Sequence, residues 1–195
     1  MNATDKLLKE THNGNLKTLL KIYWSNKPIF KSQYFWTAIC VSTLSIIFAS
    51  LLQIPKFDIL KFLAQQATSI IPSVLGFNLG AYIILISLNS TNILKEMTEP
   101  NIEEGEKYSF YQKMSSVFAF SLLLQTTSLV FGIIVSTVIN LCSSIVIGNI
   151  FAEIMNILSQ FFLCFVLTYS LVLIGQVVLN VFNFGQVIHF FIRTE

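Results

Sequence analysis

The most regularly spaced polar side chains lie inside an apolar stretch near the C-terminus. Five of them recur at intervals of three or four residues: Glu153, Asn156, Gln160, Cys164 and Thr168. These intervals place side chains along one face of an α-helix, and polar groups in an apolar environment require a protein or water partner. The chemistry predicted for this polar stripe is hydrogen bonding between helices. The alternative is the lining of a wet cavity or of a pore around a symmetry axis.

No group of residues predicts catalysis or metal binding. His12 and His189 lie far apart in the sequence, without an HExxH motif or a carboxylate at ligand spacing. The cysteines Cys40, Cys142 and Cys164 form no CxxC pair, so neither a zinc site nor a disulfide framework is expected. The sequence also contains no Walker A lysine motif and no GxSxG motif. We therefore expect a protein that is not an enzyme and that has no cofactor.

Composition identifies the class of protein to which these residues belong. The chain has 195 residues, of which 54% are hydrophobic and 11% charged, whereas a soluble domain has about 25% charged residues. Between Lys113 and Arg193 the only acidic residue is Glu153. An all-α integral membrane protein is predicted. The net charge of +2 is too small to indicate direct nucleic-acid binding.

Four apolar stretches are long enough to cross a bilayer, which requires about 20 residues of helix. We predict transmembrane helices at residues 34–54, 68–88, 114–139 and 151–174. The intervening extracytoplasmic loops are then 55–67 and 140–150, both too short to form a receptor domain. Gln176, Asn180, Asn183 and Gln186 lie on a rotated face, so the fourth helix is predicted to leave the bilayer at about Gly175 and to continue as an interfacial or cytoplasmic C-terminal helix over residues 175–195.

The distribution of basic residues predicts the orientation of these helices. Ten of the twelve Lys and Arg residues fall in the N-terminal segment, in the connection between the second and third spans, or in the C-terminal tail. The two on the other side are Lys56 and Lys61. Because cytoplasmic flanks retain basic residues, both termini are expected in the cytoplasm. In a bacterium this membrane would be the inner membrane.

The two large cytoplasmic segments differ in charge. Residues 1–33 are basic and contain two predicted short helices, 5–10 and 15–24, whose pattern fits an anchor on anionic lipid or a partner-docking surface. Residues 89–113 are acidic and are held off an anionic membrane. Five glutamates in this connection are candidates for docking a basic soluble partner, although the connection could equally be a plain solvated loop: Glu96, Glu99, Glu103, Glu104 and Glu106.

Small residues predict where helices pack closely. The second span contains a GxxxG step with an asparagine between the glycines, and the third span repeats small residues at four-residue intervals. Pro72 predicts a kink or a broken turn one helical turn before the glycines. The candidate packing residues, within one subunit or between subunits, are Gly76, Asn78, Gly80, Ser128, Gly132 and Ser136.

The segments IPSVLGFNLGAYIILISL and FYQKMSSVFAFSLLLQ resemble the KwaA family, the four-span membrane components of the bacterial Kiwa anti-phage defence system. The resemblance covers about residues 70–135, and Gly76, Asn78 and Gly80 match its LGFxLGxY motif. It implies an inner-membrane homo-oligomer, expected to be a tetramer, that senses phage attack at the envelope. It also implies a cytoplasmic DNA-binding partner similar to KwaB, and it implies no catalytic residues.

Three functions are therefore considered. The first is a membrane sensor or scaffold subunit that detects envelope perturbation and recruits or activates a cytoplasmic DNA-binding effector. The second is a small oligomeric channel or holin-like pore that uses the polar stripe. The third is a scaffold without a sensing role. Short extracytoplasmic loops mean that a sensor of this kind would respond to membrane perturbation or to a change in helix packing.

Overall fold

The computed structural model describes residues 14–26, 29–87, 97–98, 107–142 and 150–194, and no strand occurs in these ranges. Five α-helices are numbered here in chain order: α1 Leu16–Asn26, α2 Gln33–Leu51, α3 Lys56–Ser87, α4 Phe110–Cys142 and α5 Ile150–Thr194. A short 3-10 helix, Ile29–Lys31, connects α1 to α2. The predicted all-α class is confirmed for the described residues.

Four of these helices, α2 to α5, are long and apolar enough to span a membrane. This confirms the predicted number of candidate spans. The helices α3 and α5 contain 32 and 45 residues. At about 1.5 Å per residue both exceed a hydrocarbon core of about 30 Å, so they extend beyond it or tilt within it.

The helix α5 is the centre of the bundle, because it packs against α2, α3 and α4. The helices α3 and α4 run antiparallel, since Asn78 bonds to Ser121 while Tyr82, farther along α3, bonds to the earlier Ser115. Phe35, near the start of α2, packs against Phe165 in the middle of α5, whereas the α2–α3 turn lies beside the start of α5. The start of α2 and the C-terminal half of α5 therefore lie toward the same end of the bundle, here called the terminal end, and the α2–α3 turn lies at the opposite end, here called the turn end.

Three apolar clusters hold the helices together. One joins α3, α4 and α5 toward the turn end and includes Leu63, Ala67 and Leu163. A second joins α1, α2, α4 and α5 and includes Tyr23 and Phe120, whose rings stack with centroids 4.1 Å apart. The third lies at the terminal end and consists of Leu85, Met97, Met114, Phe118, Val177 and Phe184. Every described helix is thus anchored to α4 or α5.

The helix α1 confirms the second of the two short helices predicted in the N-terminal segment; the first, 5–10, lies outside the described residues. Asn15 caps α1, because its side-chain Oδ1 accepts a hydrogen bond from the Thr18 backbone N–H at 2.8 Å. Ile22 and Tyr23 are buried against the bundle. Burial also raises the pKa of the Tyr23 phenol, which stays neutral. The helix α1 is therefore docked on α4 rather than supported by lipid alone.

The segment predicted as the extracytoplasmic loop 55–67 is mostly helical, which differs from expectation. The helix α3 begins at Lys56, directly after Pro55, and Asp58 in its first turn complements the helix dipole. Leu60, Leu63 and Ala67 are buried in the cluster shared with α4 and α5. The loop was predicted from polar residues such as Lys61 and Gln65. In the structure these two residues lie on the exposed side of an amphipathic part of the helix α3.

Two long helices continue past residues that often interrupt a helix. The helix α5 continues through Gly175 to Thr194, and Gln176 and Val177 are buried directly after the glycine. The interfacial position of this C-terminal segment stays a prediction. A single glycine costs an exposed helix only about 1 kcal/mol, which packing offsets. The helix α3 likewise continues through Pro72, so of the two predicted alternatives, a kink or a broken turn, this described helix contains no broken turn. The missing N–H of Pro72 removes one hydrogen bond without ending the helix.

Candidate functional site

The polar stripe of α5 runs from the turn end into the interior of the bundle. Glu153 and Asn156 lie at its outer end, where the Glu153 carboxylate forms an ion pair with the Lys56 ammonium group of α3, Oε1 to Nζ 2.5 Å. Gln160 and Cys164 lie deeper and are 1% and 5% exposed. The structure thus orders the stripe by depth, from a charged, exposed end to a buried amide and thiol.

Gln160 is buried without a protein partner. Neither Nε2 nor Oε1 of its side chain bonds to any other part of the described chain. An amide removed from water without a compensating hydrogen bond costs about 1–3 kcal/mol in proteins. Since the side chain points into the bundle, it cannot be satisfied by a second copy packed on the outside. The free thiol of Cys164, one turn deeper, lies in the apolar cluster shared with α3 and α4.

The interior position of these residues bears on the predicted pore. A pore around a symmetry axis needs its lining residues on the outer surface of each subunit, facing the axis. In the structure Gln160 and Cys164 face the interior of a single chain, and Thr168 is half-buried. The arrangement favours interhelical contacts or a cavity within one chain.

A second polar group joins α3 to α4 near the middle of the bundle. Asn78 Nδ2 donates to Ser121 Oγ at 3.0 Å, and Gln125 Nε2 donates to the same oxygen at 3.3 Å. All three side chains are fully buried. The predicted packing residue Asn78 is therefore used within one chain. Ser121 was not singled out from the sequence, although it continues the small and polar face of α4 at intervals of four, three and four: Ser121, Gln125, Ser128 and Gly132.

The small residues predicted in the third span pack within the chain. Gly132 faces α3 so closely that an added Cβ would lie 2.7 Å from Ala67 Cβ and 3.5 Å from the Ala64 carbonyl oxygen. Ser128 is fully buried and Ser136 is half-buried. The face of α4 that contains Gly132 is thus the close-approach surface between α3 and α4.

The glycines of the second span have different surroundings. A Cβ added at Gly76 or Gly80 would meet no described atom within 4 Å. Both glycines are exposed, and so are Ser69 and Ser73, which precede them at intervals that continue the same helical face. We call Ser69, Ser73, Gly76 and Gly80 the outward small-residue face of α3. The sequence predicted the glycines, and the spacing of the two serines extends the face by two turns.

The five glutamates proposed for partner docking lie outside the described residues, so Glu96, Glu99, Glu103, Glu104 and Glu106 have no structural account. Within the described ranges no group of three or more His, Cys, Asp or Glu side chains is placed to bind a metal ion.

The fold and the polar interior together place the chain among all-helical proteins with four helices able to span a membrane. Comparison with known proteins finds no matching family model, no matching curated protein and no matching solved structure.

Proposed function

We propose that this chain is the membrane subunit of a bacterial anti-phage defence complex. In this role it detects perturbation of the envelope during infection and recruits or activates a cytoplasmic DNA-binding effector similar to KwaB. The proposal rests on the resemblance carried by Gly76, Asn78 and Gly80, together with the four apolar helices of the fold.

One observation carries the oligomeric part of the proposal. The outward small-residue face of α3 is exposed over about three turns, although small residues in a membrane helix usually mark the approach of another helix. Lipid chains gain little packing energy against a surface of glycine and serine, whereas a second helix can approach such a surface closely. We infer that copies of this chain associate through α3, with a tetramer as the expected product.

The proposed orientation places both termini in the cytoplasm of the inner membrane. Ten of twelve Lys and Arg residues fall on the terminal side of the predicted spans, in agreement with the positive-inside rule. The start of α2 and the C-terminal half of α5 lie toward one end of the bundle, as an even number of crossings requires. The acidic connection between α3 and α4 then lies in the cytoplasm, where an effector can reach it.

The central position of α5 supports a relay through helix packing. Because α5 contacts the other three long helices, a shift of α5 at the turn end would change its contacts at the terminal end as well. The terminal cluster includes Val177 and Phe184 of α5 and Met97 from the α3–α4 connection. A perturbation of the bilayer could therefore reach the acidic connection without a receptor domain.

The experiment measures both the recruitment of the effector and the protection of cells against phage. Glu99, Glu103, Glu104 and Glu106 are changed together to Lys, and the effector is pulled down from solubilised membranes at low and high salt. Exposed ion pairs are each worth less than about 1 kcal/mol, so only the combined reversal is expected to weaken recruitment. High salt should weaken the native contact too, since the Debye length falls from about 8 Å to about 3 Å at 1 M.

A matched control is Asp58→Lys, which reverses an exposed charge at the turn end and should leave recruitment unchanged. In cells that carry the effector, the quadruple variant should lose plaque protection while its amount in the membrane stays the same. Protection and recruitment equal to wild type at both ionic strengths would overturn docking at the acidic connection. Absence of protection by the wild-type pair would overturn the defence role itself.

A further inference from the structure

An open cavity of about 760 Å³ lies at the turn end of the bundle, between the α2–α3 turn and the start of α5. It is here called the vestibule. Its polar lining includes Ser50, Gln53, Lys56, Glu153 and Asn156. Gln53 holds a positive φ of 52°, which turns the chain sharply between α2 and α3 beside this opening. A volume of this size with charged and amide groups in its wall holds many water molecules.

The polar stripe leads from the vestibule into the bundle. Asn156 lines the vestibule, and Gln160 follows it by one helical turn on the same face of α5, about 6 Å farther along the helix axis. Gln160 is 1% exposed, and both polar atoms of its amide are without a partner in the described chain. A buried amide one turn from an open polar cavity is most simply satisfied by water that enters from that cavity.

We propose that the vestibule is the mouth of a dead-end aqueous crevice, and that water passes Asn156 and hydrates the amide of Gln160. The ligand of this site is water. The crevice lies within a single chain, between α2, α3 and α5, and does not depend on an oligomer axis. It also does not depend on the defence role, because it follows from the cavity and the buried amide alone.

The apolar cluster beyond Gln160 closes the crevice. Leu163 is fully buried, and Cys164 and Leu167 are nearly so, in the cluster built with Ile71 and Ala67 of α3. Ser121 and Gln125 lie past this apolar layer, because Ser121 bonds to Asn78, which follows Ile71 by seven residues on α3 and is about 10 Å farther from the turn end. Water is therefore expected at Gln160 and not at Gln125.

Rates of thiol modification test the depth of the crevice. In a cysteine-free background, the single-cysteine variants Asn156→Cys, Gln160→Cys and Leu163→Cys are reconstituted in nanodiscs and treated with a charged methanethiosulfonate reagent. Since the reactive species is the hydrated thiolate, Gln160→Cys should react within about tenfold of Asn156→Cys, and Leu163→Cys about 100-fold more slowly. A rate at Gln160→Cys as low as that at Leu163→Cys would overturn the proposal. Equal fast rates at all three positions would overturn the dead end.

A second measurement is made on the protein without substitutions. Side-chain amide signals of glutamine in the otherwise native protein are followed by NMR in nanodiscs after transfer to D2O, with Gln160→Leu and Gln125→Leu used only to assign the two signals. The Gln160 amide should exchange at least about tenfold faster than the Gln125 amide, because it alone contacts the crevice water. Equal slow exchange of both amides would contradict the proposal.

Discussion

At the scale of single residues, Gly132 and Gly80 show that similar sequence patterns can serve different contacts. Both lie in four-residue repeats of small residues within apolar helices. Gly132 faces Ala67 across a gap that leaves no room for a methyl group, whereas Gly80 faces no described atom. The first glycine is used for packing within the chain, and the second remains available to another molecule.

This difference predicts opposite effects of the same small substitution. Gly132→Ala should lower the free energy of unfolding by about 1–3 kcal/mol, because α3 and α4 must move apart to admit the methyl group. Gly80→Ala should leave the stability of the dissociated chain unchanged or slightly higher, since alanine favours helix over glycine. Thermal unfolding of both variants in a dissociating detergent distinguishes them. Equal destabilisation would contradict the assignment of the two surfaces.

At the scale of helices, α1 is predicted to be held by one aromatic contact. Tyr23→Ala removes the ring that stacks on Phe120 and should release α1 from α4, while Trp24→Ala alters a neighbouring exposed ring of similar size. Loss of a buried aromatic side chain typically costs about 3–5 kcal/mol. Backbone hydrogen exchange in α1 should therefore rise strongly in Tyr23→Ala and little in Trp24→Ala. Unchanged protection of α1 in Tyr23→Ala would contradict docking through Tyr23.

The number of candidate membrane-spanning helices could be predicted from the sequence, but the residues at which these helices end could not. Apolar length predicts a spanning helix because every backbone group in lipid must be bonded internally. That rule does not say where a helix stops outside the lipid. The residues 55–67 contain enough polar side chains to suggest a loop, yet packing of Leu60 and Ala64 keeps them in α3 from Lys56 onward. In the segment 175–195, predicted to leave the bilayer, Val177 packs in the cluster at the terminal end.

The sequence predicted that the polar stripe lies on one face of α5, but it did not predict what that face contacts. Helical periodicity places Glu153 to Thr168 on one side of α5 but does not tell whether that side meets another helix, lipid or water. In the structure the buried part of this side faces other helices, because α5 packs against three of them. Such contacts depend on residues that are distant in the sequence. In the same way the pattern around Gly76 predicted close packing without showing that Asn78 turns inward while the glycines turn outward.

At the scale of the whole molecule, the proposed topology predicts which ends are accessible from each side. In a cysteine-free background, Glu195→Cys should react with an impermeant reagent only after the inner membrane is opened, because the tail is expected in the cytoplasm. Gln53→Cys, in the exposed α2–α3 turn, should react from the outside. Labelling of Glu195→Cys in intact spheroplasts would contradict the topology.

The central claim for the whole molecule is that the outward small-residue face of α3 joins copies into one oligomer. Gly80→Leu places a branched side chain where two backbones are expected to meet, and its Cβ would meet no described atom of the single chain within 4 Å. Val130→Leu enlarges an exposed position on α4 by a methylene group and is the control.

Native mass spectrometry from a mild detergent gives the most direct measurement. The wild-type protein and Val130→Leu should appear as one oligomer, expected to be a tetramer, whereas Gly80→Leu should appear as monomers with unchanged helix content. A wild-type monomer, or a Gly80→Leu oligomer of the same mass and stability as wild type, would contradict the account.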